Sequence, residues 1–338
     1  MKSVVINGKL DLVVTDVPVP QPADGQVRVR VDYVGICGSD LHYYYEGANG
    51  AFTVDEPLVP GHELSGRVDL DPSGQWAPGT PVTVHPARFG SPTRGTEDEP
   101  HLWPGGSYLG SASTHPHTQG AMSEMLIVDA GMIRVLPADL PVRRAVLAEP
   151  LAVSLHAVAR AGSLVGARVL VSGAGPIGLL TAAAARAHGA AHVTVSDVLS
   201  EPLARAAALG VDAVVLVSEE RLEADAYDVV FECSGAAPAI TAAFGAVRRR
   251  GTVVQVGMVP NEPRPLNIAP LIAKEVSLVG VFRFKDEIDE AVRLLAERPE
   301  IEAVITHVLP QVDALRAFEI AKDSSASGKV VVDLTSTP

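Results

Sequence analysis

Cys37, Ser39, Asp40, His42, Tyr43 and Tyr44 fall within eight consecutive positions, directly behind an alternating stretch, Val27 to Val34, that reads as a β-strand. A thiol, a hydroxyl, a carboxylate, an imidazole and two phenols are thus crowded together. Glycines stand close on both sides of the cysteine (Gly35 and Gly38), where its side chain can reach a cleft. A second polar group, His62-Glu63, follows Gly61 in an otherwise bland segment. Cys37, His62 and Glu63 together offer one soft ligand, one imidazole and one carboxylate. A catalytic zinc ion accepts such a mixed set while one position stays open for water or substrate. The competing reading of Cys37 is a packed thiol, a common fate of a free cysteine. Spacing alone does not separate the two.

Gly173-Ala174-Gly175-Pro176-Ile177-Gly178 is the other stretch with chemistry in it. It follows a strand pattern, opens a helix pattern, and has Asp197 at the end of the next strand, nineteen residues beyond Gly178. In that context G-x-G-x-x-G predicts a dinucleotide site. The glycines admit the backbone to a pyrophosphate, which the helix N-terminus holds through free N–H groups and its dipole. Asp197 can bond both ribose hydroxyls and would repel a 2′-phosphate, so NAD is expected over NADP. The competing reading is a purely structural glycine turn.

The elements that must position these residues follow from the patterning. Strands are expected at 3–6, 11–14, 26–34, 66–70 and 80–85, giving an antiparallel or barrel-like β domain with polar groups on its loops. Residues 86 to about 119 carry Pro86, Pro92, Pro100, Pro104 and Pro116 with no periodicity, and read as a long lobe. His115-x-His117 at its edge is either a metal or substrate contact, or a pair of loop histidines bonded to backbone. Residues 143–160 read as one helix, with Pro150 expected to break or kink it. Glu149 beside that proline is odd in an apolar run. Either an arginine neutralises it or it serves a cleft. From Ala167 strands and helices alternate, which predicts a parallel sheet covered on both faces. An amphipathic helix over 286–296 and a strand over 329–334 follow, a tail expected to return to the first domain.

At 338 residues the chain fits two domains. With 27 basic against 40 acidic residues its net charge is −13, which argues against nucleic acid and anionic membranes as partners. Two cysteines leave no disulfide framework. No apolar signal core opens the sequence, and glycines and Pro176 interrupt its most apolar run, so a cytoplasmic protein outside the membrane is expected.

The assembled residues resemble the zinc-containing medium-chain dehydrogenases, the family of alcohol and polyol dehydrogenases. The resemblance spans essentially the whole chain. Its most specific markers are Gly35-Ile36-Cys37-Gly38-Ser39-Asp40-Leu41-His42, Pro60-Gly61-His62-Glu63, Glu149-Pro150, and Gly173 to Gly178 with Asp197. It is strongest toward the L-idonate and sorbitol dehydrogenase branches, through His42-Tyr43-Tyr44, Tyr108 to Ala112, Glu149 to Val153 and Phe282-Arg283-Phe284.

This resemblance implies an α/β chain with an N-terminal GroES-like, β-barrel-type catalytic domain (1–150, completed by 287–338) and a Rossmann doubly wound domain (151–286). It implies that Cys37, His62 and Glu63 hold zinc and that Glu149 binds it directly or through water. Ser39 would relay the substrate proton and His42 would follow it in the relay. Tyr43 and Arg283 would face the substrate. The cofactor would lie on Gly173, Gly175, Pro176, Ile177, Gly178 and Asp197. Many relatives carry four cysteines in the lobe that here spans 86–107. This chain has none there, so one catalytic zinc and no structural zinc are expected. The implied reaction is NAD-linked oxidation of a secondary hydroxyl of a sugar acid or polyol, L-idonate to 5-keto-D-gluconate foremost, in a homodimer or homotetramer. Sorbitol, xylitol or L-threonine oxidation, and a catalytically silent dinucleotide-binding protein, are the alternatives.

Overall fold

The computed structural model describes residues 1–336. They form two compact units. The first comprises 1–149, 288–323 and the stretch from 329 onward. The second comprises 150–287 with 324–328. The short segment 324–328 groups with the second unit, where Arg205 donates to the carbonyls of Ser324 and Ser325.

The first unit is built on a seven-stranded sheet. Its long strand, Gln26–Gly35, buries Val27, Val29 and Val31 on one face, as the alternation dictates. One edge of that strand pairs antiparallel with Glu63–Leu70. The other edge pairs with Met125–Asp129 along its first half and with Lys329–Asp333 at its end. Lys329–Asp333 in turn lies parallel to Ile305–Pro310. The tail of the chain is therefore an interior part of the first unit's sheet.

Two local expectations are corrected. The Cys37 stretch is not a loop. Residues Gly38–Glu46 form helix α1, with Cys37 at its N-cap and left-handed Gly47 (φ 75°) closing it. Residues 143–160 are not one helix either, but α2 (Val142–Ala145) and α3 (Ala148–Ala161). Pro150 does not break α3. It is the third residue of that helix, within the first turn, where a backbone N–H has no intrahelical partner to lose.

The lobe between 86 and 119 holds two short strands, Ala87–Arg88 and Ser107–Tyr108. An Arg88–Asp129 ion pair at 2.6 Å ties it to the sheet, and within it Trp103 Nε1 donates to the Thr96 carbonyl at 2.6 Å.

The second unit is a six-stranded parallel sheet. Its order is Ala213–Leu216, His192–Asp197, Arg168–Ser172, Tyr227–Glu232, Val247–Gln255, Ser277–Gly280. The chain starts at the middle strand and winds outward both ways, the doubly wound arrangement whose ligand site lies at the carboxyl ends of the central strands. Val169, Leu170 and Val171 are fully buried, as a parallel strand covered on both faces requires. Among the described residues no helix is long and apolar enough to cross a membrane.

Candidate active site

The pairing of Gln26–Gly35 with Glu63–Leu70 sets Gly35 opposite Glu63. Cys37 lies two residues past Gly35 and His62 one residue before Glu63, at the same end of that ladder, so the antiparallel register brings them together. Cys37, His62 and Glu63 each offer one ligand atom, and those atoms all lie within 4.8 Å of one another. Asp40, fully buried, locks the arrangement: Oδ2 accepts the Cys37 N–H at 2.9 Å and Oδ1 accepts the Gly61 N–H at 3.0 Å. The backbones leading into both ligand segments are thus held by one carboxylate, whose pKa burial pushes up.

Glu63 sits on Gly35 because nothing larger fits. A Cβ at Gly35 would lie 2.1 Å from Glu63 Oε2. Oε1 accepts from Lys329 Nζ at 2.6 Å, and the ammonium also donates to the Ile36 carbonyl at 3.0 Å. Oε2 is buried with no hydrogen-bond partner. An orphaned carboxylate oxygen beside a thiol and an imidazole is what a cation would satisfy. The residues present therefore fit a zinc ion.

Glu149, the second residue of α3, is buried and accepts from Tyr108 OH at 2.5 Å. The Tyr108 ring packs edge-on against His62, centroids 5.3 Å apart. Burial raises the pKa of Glu149, an effect that His62 opposes. Burial lowers the proton affinity of His62, but Cys37 and, less strongly, Glu149 and Asp40 overcome it and raise its pKa to about 10. Binding a metal here therefore means releasing protons. Burial likewise disfavours the Lys329 charge, and Glu63 and Cys37 outweigh it, so its pKa is raised.

Helix α1 sorts the remaining expected residues by face. Asp40, Tyr43 and Tyr44 turn into the core. Ser39 is half-buried in the first turn, and His42, three positions on, is exposed and pairs with Glu46 at 3.1 Å. Tyr43 was expected to face the substrate. Its hydroxyl instead accepts the Ala112 N–H at 3.1 Å and meets Ser111 Oγ at 3.3 Å, inside the core. Arg283 belongs to the second unit, in a left-handed conformation (φ 51°) with its guanidinium 4.9 Å from the Phe282 ring.

A further group, Glu56, His115 and His117, also has ligand atoms within 4.8 Å. His117 is nonetheless spent on the backbone, with Nε2 accepting the Asp55 N–H at 3.2 Å and Nδ1 facing the Thr114 carbonyl at 2.9 Å. The reading as a backbone-bonded loop histidine holds for it.

In the second unit Gly173 has φ 100°, which admits glycine readily, and Pro176 begins α4 (Pro176–Ala187). Asp197 Oδ2 accepts the Ala174 N–H at 2.7 Å and Oδ1 the Leu199 N–H at 3.0 Å. The acidic residue thus lies against the glycine turn.

The chain matches two family models, "Alcohol dehydrogenase GroES-like domain" over residues 23–138 and "Zinc-binding dehydrogenase" over 176–297. It is 35% identical to the sorbitol dehydrogenase of Macaca fascicularis over 95% of this chain and 92% of that protein. It is 33% identical to the L-idonate 5-dehydrogenase (NAD(P)(+)) of Escherichia coli over 97% of both. The crystal structure of an E. coli L-idonate 5-dehydrogenase superposes with a TM-score of 0.93, at 32% identity over 98% of both chains. The chain belongs to the zinc-containing medium-chain dehydrogenases. It is an oxidoreductase acting on alcohol groups, of the polyol and sugar-acid type.

Three residues of this dehydrogenase's site escaped the sequence reading. Lys329 stands in the sequence only as the first residue of the closing strand expected over 329–334. Asp40 was one polar residue among several. Tyr108 gave no sign of its bond to Glu149. The one available signal was Lys329 itself, a charge at the head of the buried run Val330 to Val332.

Proposed function

We propose that this dehydrogenase oxidises a secondary hydroxyl of L-idonate with NAD, on one zinc per chain held by Cys37, His62 and Glu63, with Glu149 as an alternative carboxylate ligand. The convergence of those three side chains around the unsatisfied Oε2 of Glu63 carries the metal assignment. The near full-length likeness to L-idonate 5-dehydrogenase in sequence and backbone supports the substrate.

When bound, zinc supplies Lewis acidity that lowers the proton affinity of the substrate hydroxyl, and NAD accepts the hydride. Ser39 takes the proton and His42, on the same face of α1 and exposed, passes it to solvent. Tyr108 orients Glu149 by its hydrogen bond. Arg283 offers paired N–H donors to the carboxylate or hydroxyls of the substrate. Tyr43 contributes by fixing the wall of α1 rather than by a free hydroxyl. Gly173, Gly175, Pro176, Ile177 and Gly178 present the start of α4 to the pyrophosphate, and Asp197 takes the ribose.

The test is NADH formation on L-idonate, D-gluconate, sorbitol, xylitol and L-threonine, with zinc counted per chain. Preference for L-idonate with one zinc is expected. Preference for sorbitol would favour the second reading, a neutral-polyol dehydrogenase, which the 35% identity to sorbitol dehydrogenase supports. Neither turnover nor metal would overturn both. Asp197→Ala is expected to lower kcat/KM with NAD roughly 10- to 100-fold, the loss of charged hydrogen bonds to the ribose. The same variant should leave the NADP value level or raised. An unchanged NAD-to-NADP ratio would remove Asp197 from cofactor selection.

A further inference from the structure

Lys329 is an almost fully buried ammonium to which the reaction assigns nothing. It lies 266 positions from Glu63 in sequence, yet its Nζ donates to Glu63 Oε1 at 2.6 Å and to the Ile36 carbonyl, the residue before Cys37, at 3.0 Å. Their side chains are 3% and 2% exposed. Each ligand-bearing segment is therefore tied to one cation on the strand Lys329–Asp333. The tie is selective. It occupies one oxygen of Glu63 and leaves Oε2 as the only unpartnered one. A buried ion pair is weak evidence for a stabilising device, since desolvation consumes much of the attraction. A cation beside a set of anionic ligands also opposes a second cation entering among them.

Given the zinc site proposed above, we infer that Lys329 is a positioning residue for it, holding Glu63 to a single-oxygen contact and weakening the grip of the ligand set on the metal. With Lys329 present, Glu63 is shared between ammonium and zinc. Its charge is half committed elsewhere, and it can yield when substrate needs the position. Without Lys329, the whole negative charge of Glu63 would be left for the metal. The site then holds zinc more firmly, while the metal-free protein carries an uncompensated buried carboxylate.

The experiment follows zinc transfer from the loaded protein to a chromophoric chelator, for wild type, Lys329→Met, Lys329→Arg and Lys329→Met/Glu63→Gln. Lys329→Met is expected to release zinc on the order of tenfold more slowly, the effect of removing one positive charge from the ligand shell in a partly screened interior. It should also show a larger zinc-induced rise in Tm than wild type, because the metal-free form is weakened. Lys329→Arg should release zinc at the wild-type rate. The double variant should lose the slowing, since it acts through the Glu63 charge. Should Lys329→Met fail to fold, Lys329→Gln removes the charge while keeping a donor for the Ile36 carbonyl. A purely structural lysine predicts the opposite sign: a loosened site and faster release. Release as fast as wild type, or faster, in the neutral variants overturns the role of Lys329. Absence of zinc from the wild-type protein overturns the metal site itself, and Lys329 with it.

Discussion

Replacing Cys37 with alanine is expected to give a folded chain that retains no zinc and has kcat/KM lowered by roughly 10³- to 10⁵-fold, the several kcal/mol that metal polarisation supplies to the transition state. The backbone around position 37 should survive the change. Asp40 holds it through the Cys37 N–H, a bond that alanine keeps, and fixes the neighbouring segment through the Gly61 N–H. What goes is the one sulfur of the set. His62 and Glu63 remain, two ligands in place of three, one of them already shared with Lys329. Elemental analysis beside steady-state kinetics checks both halves of the expectation. A variant that keeps full activity without metal would end the zinc assignment. One that keeps both would move Cys37 out of the ligand set.

Gly178→Ala is expected to strike the second unit as hard and to spare the metal. A Cβ there would lie 1.8 Å from the Gly173 carbonyl oxygen and 2.9 Å from its carbon. The obstacle is backbone, so no rotamer relieves it. Gly173 cannot retreat easily, because its N–H is bonded to the Ser196 carbonyl at 2.8 Å and its φ of 100° suits few other residues. The turn must open and the start of α4 must shift. Overpacking of this kind costs about 1–3 kcal/mol or more, a fall of roughly 3–10 °C in Tm for a domain of this size. The KM for NAD should rise at least about tenfold, as the N–H groups at the helix start leave the pyrophosphate. Zinc content should be unchanged. A thermal scan, cofactor titration and metal count on one preparation suffice, and a normal KM would mean that the turn does not carry the cofactor.

How legible this molecule was depended on how local each requirement is. The glycine turn is local: three glycines, a helix behind them and Asp197 closing the next strand define it without reference to anything distant. The doubly wound sheet followed from alternation of elements in the same way. The ligand types at 37, 62 and 63 were readable as chemistry. Their convergence was not, because it depends on strand register between Gly35 and Glu63. The inward placement of Tyr43 was not readable for a related reason. Only once the bounds of α1 are known does its 3.6-residue period send Asp40, Tyr43 and Tyr44 inward and leave His42 outside. Pro150 was read as a breaker without knowing that α3 starts at Ala148, two residues earlier. The partner of Lys329 was out of reach. Nothing in a lysine before three valines announces a carboxylate 266 positions away.

The strand Lys329–Asp333 also bears on how the protein comes into being. It is inserted between Gln26–Gly35 and Ile305–Pro310, and it carries the ammonium that faces Glu63. A ribosome makes the thiol, imidazole and carboxylate at 37, 62 and 63 first, then the whole stretch 150–287 of the other unit, and only afterwards that strand. Until it emerges, the long strand lacks its neighbour at the Gly35 end and Glu63 lacks its counter-ion. The sheet of the second unit can therefore form on a nascent chain whose first-unit sheet is still open. The unit begun first is the one finished last.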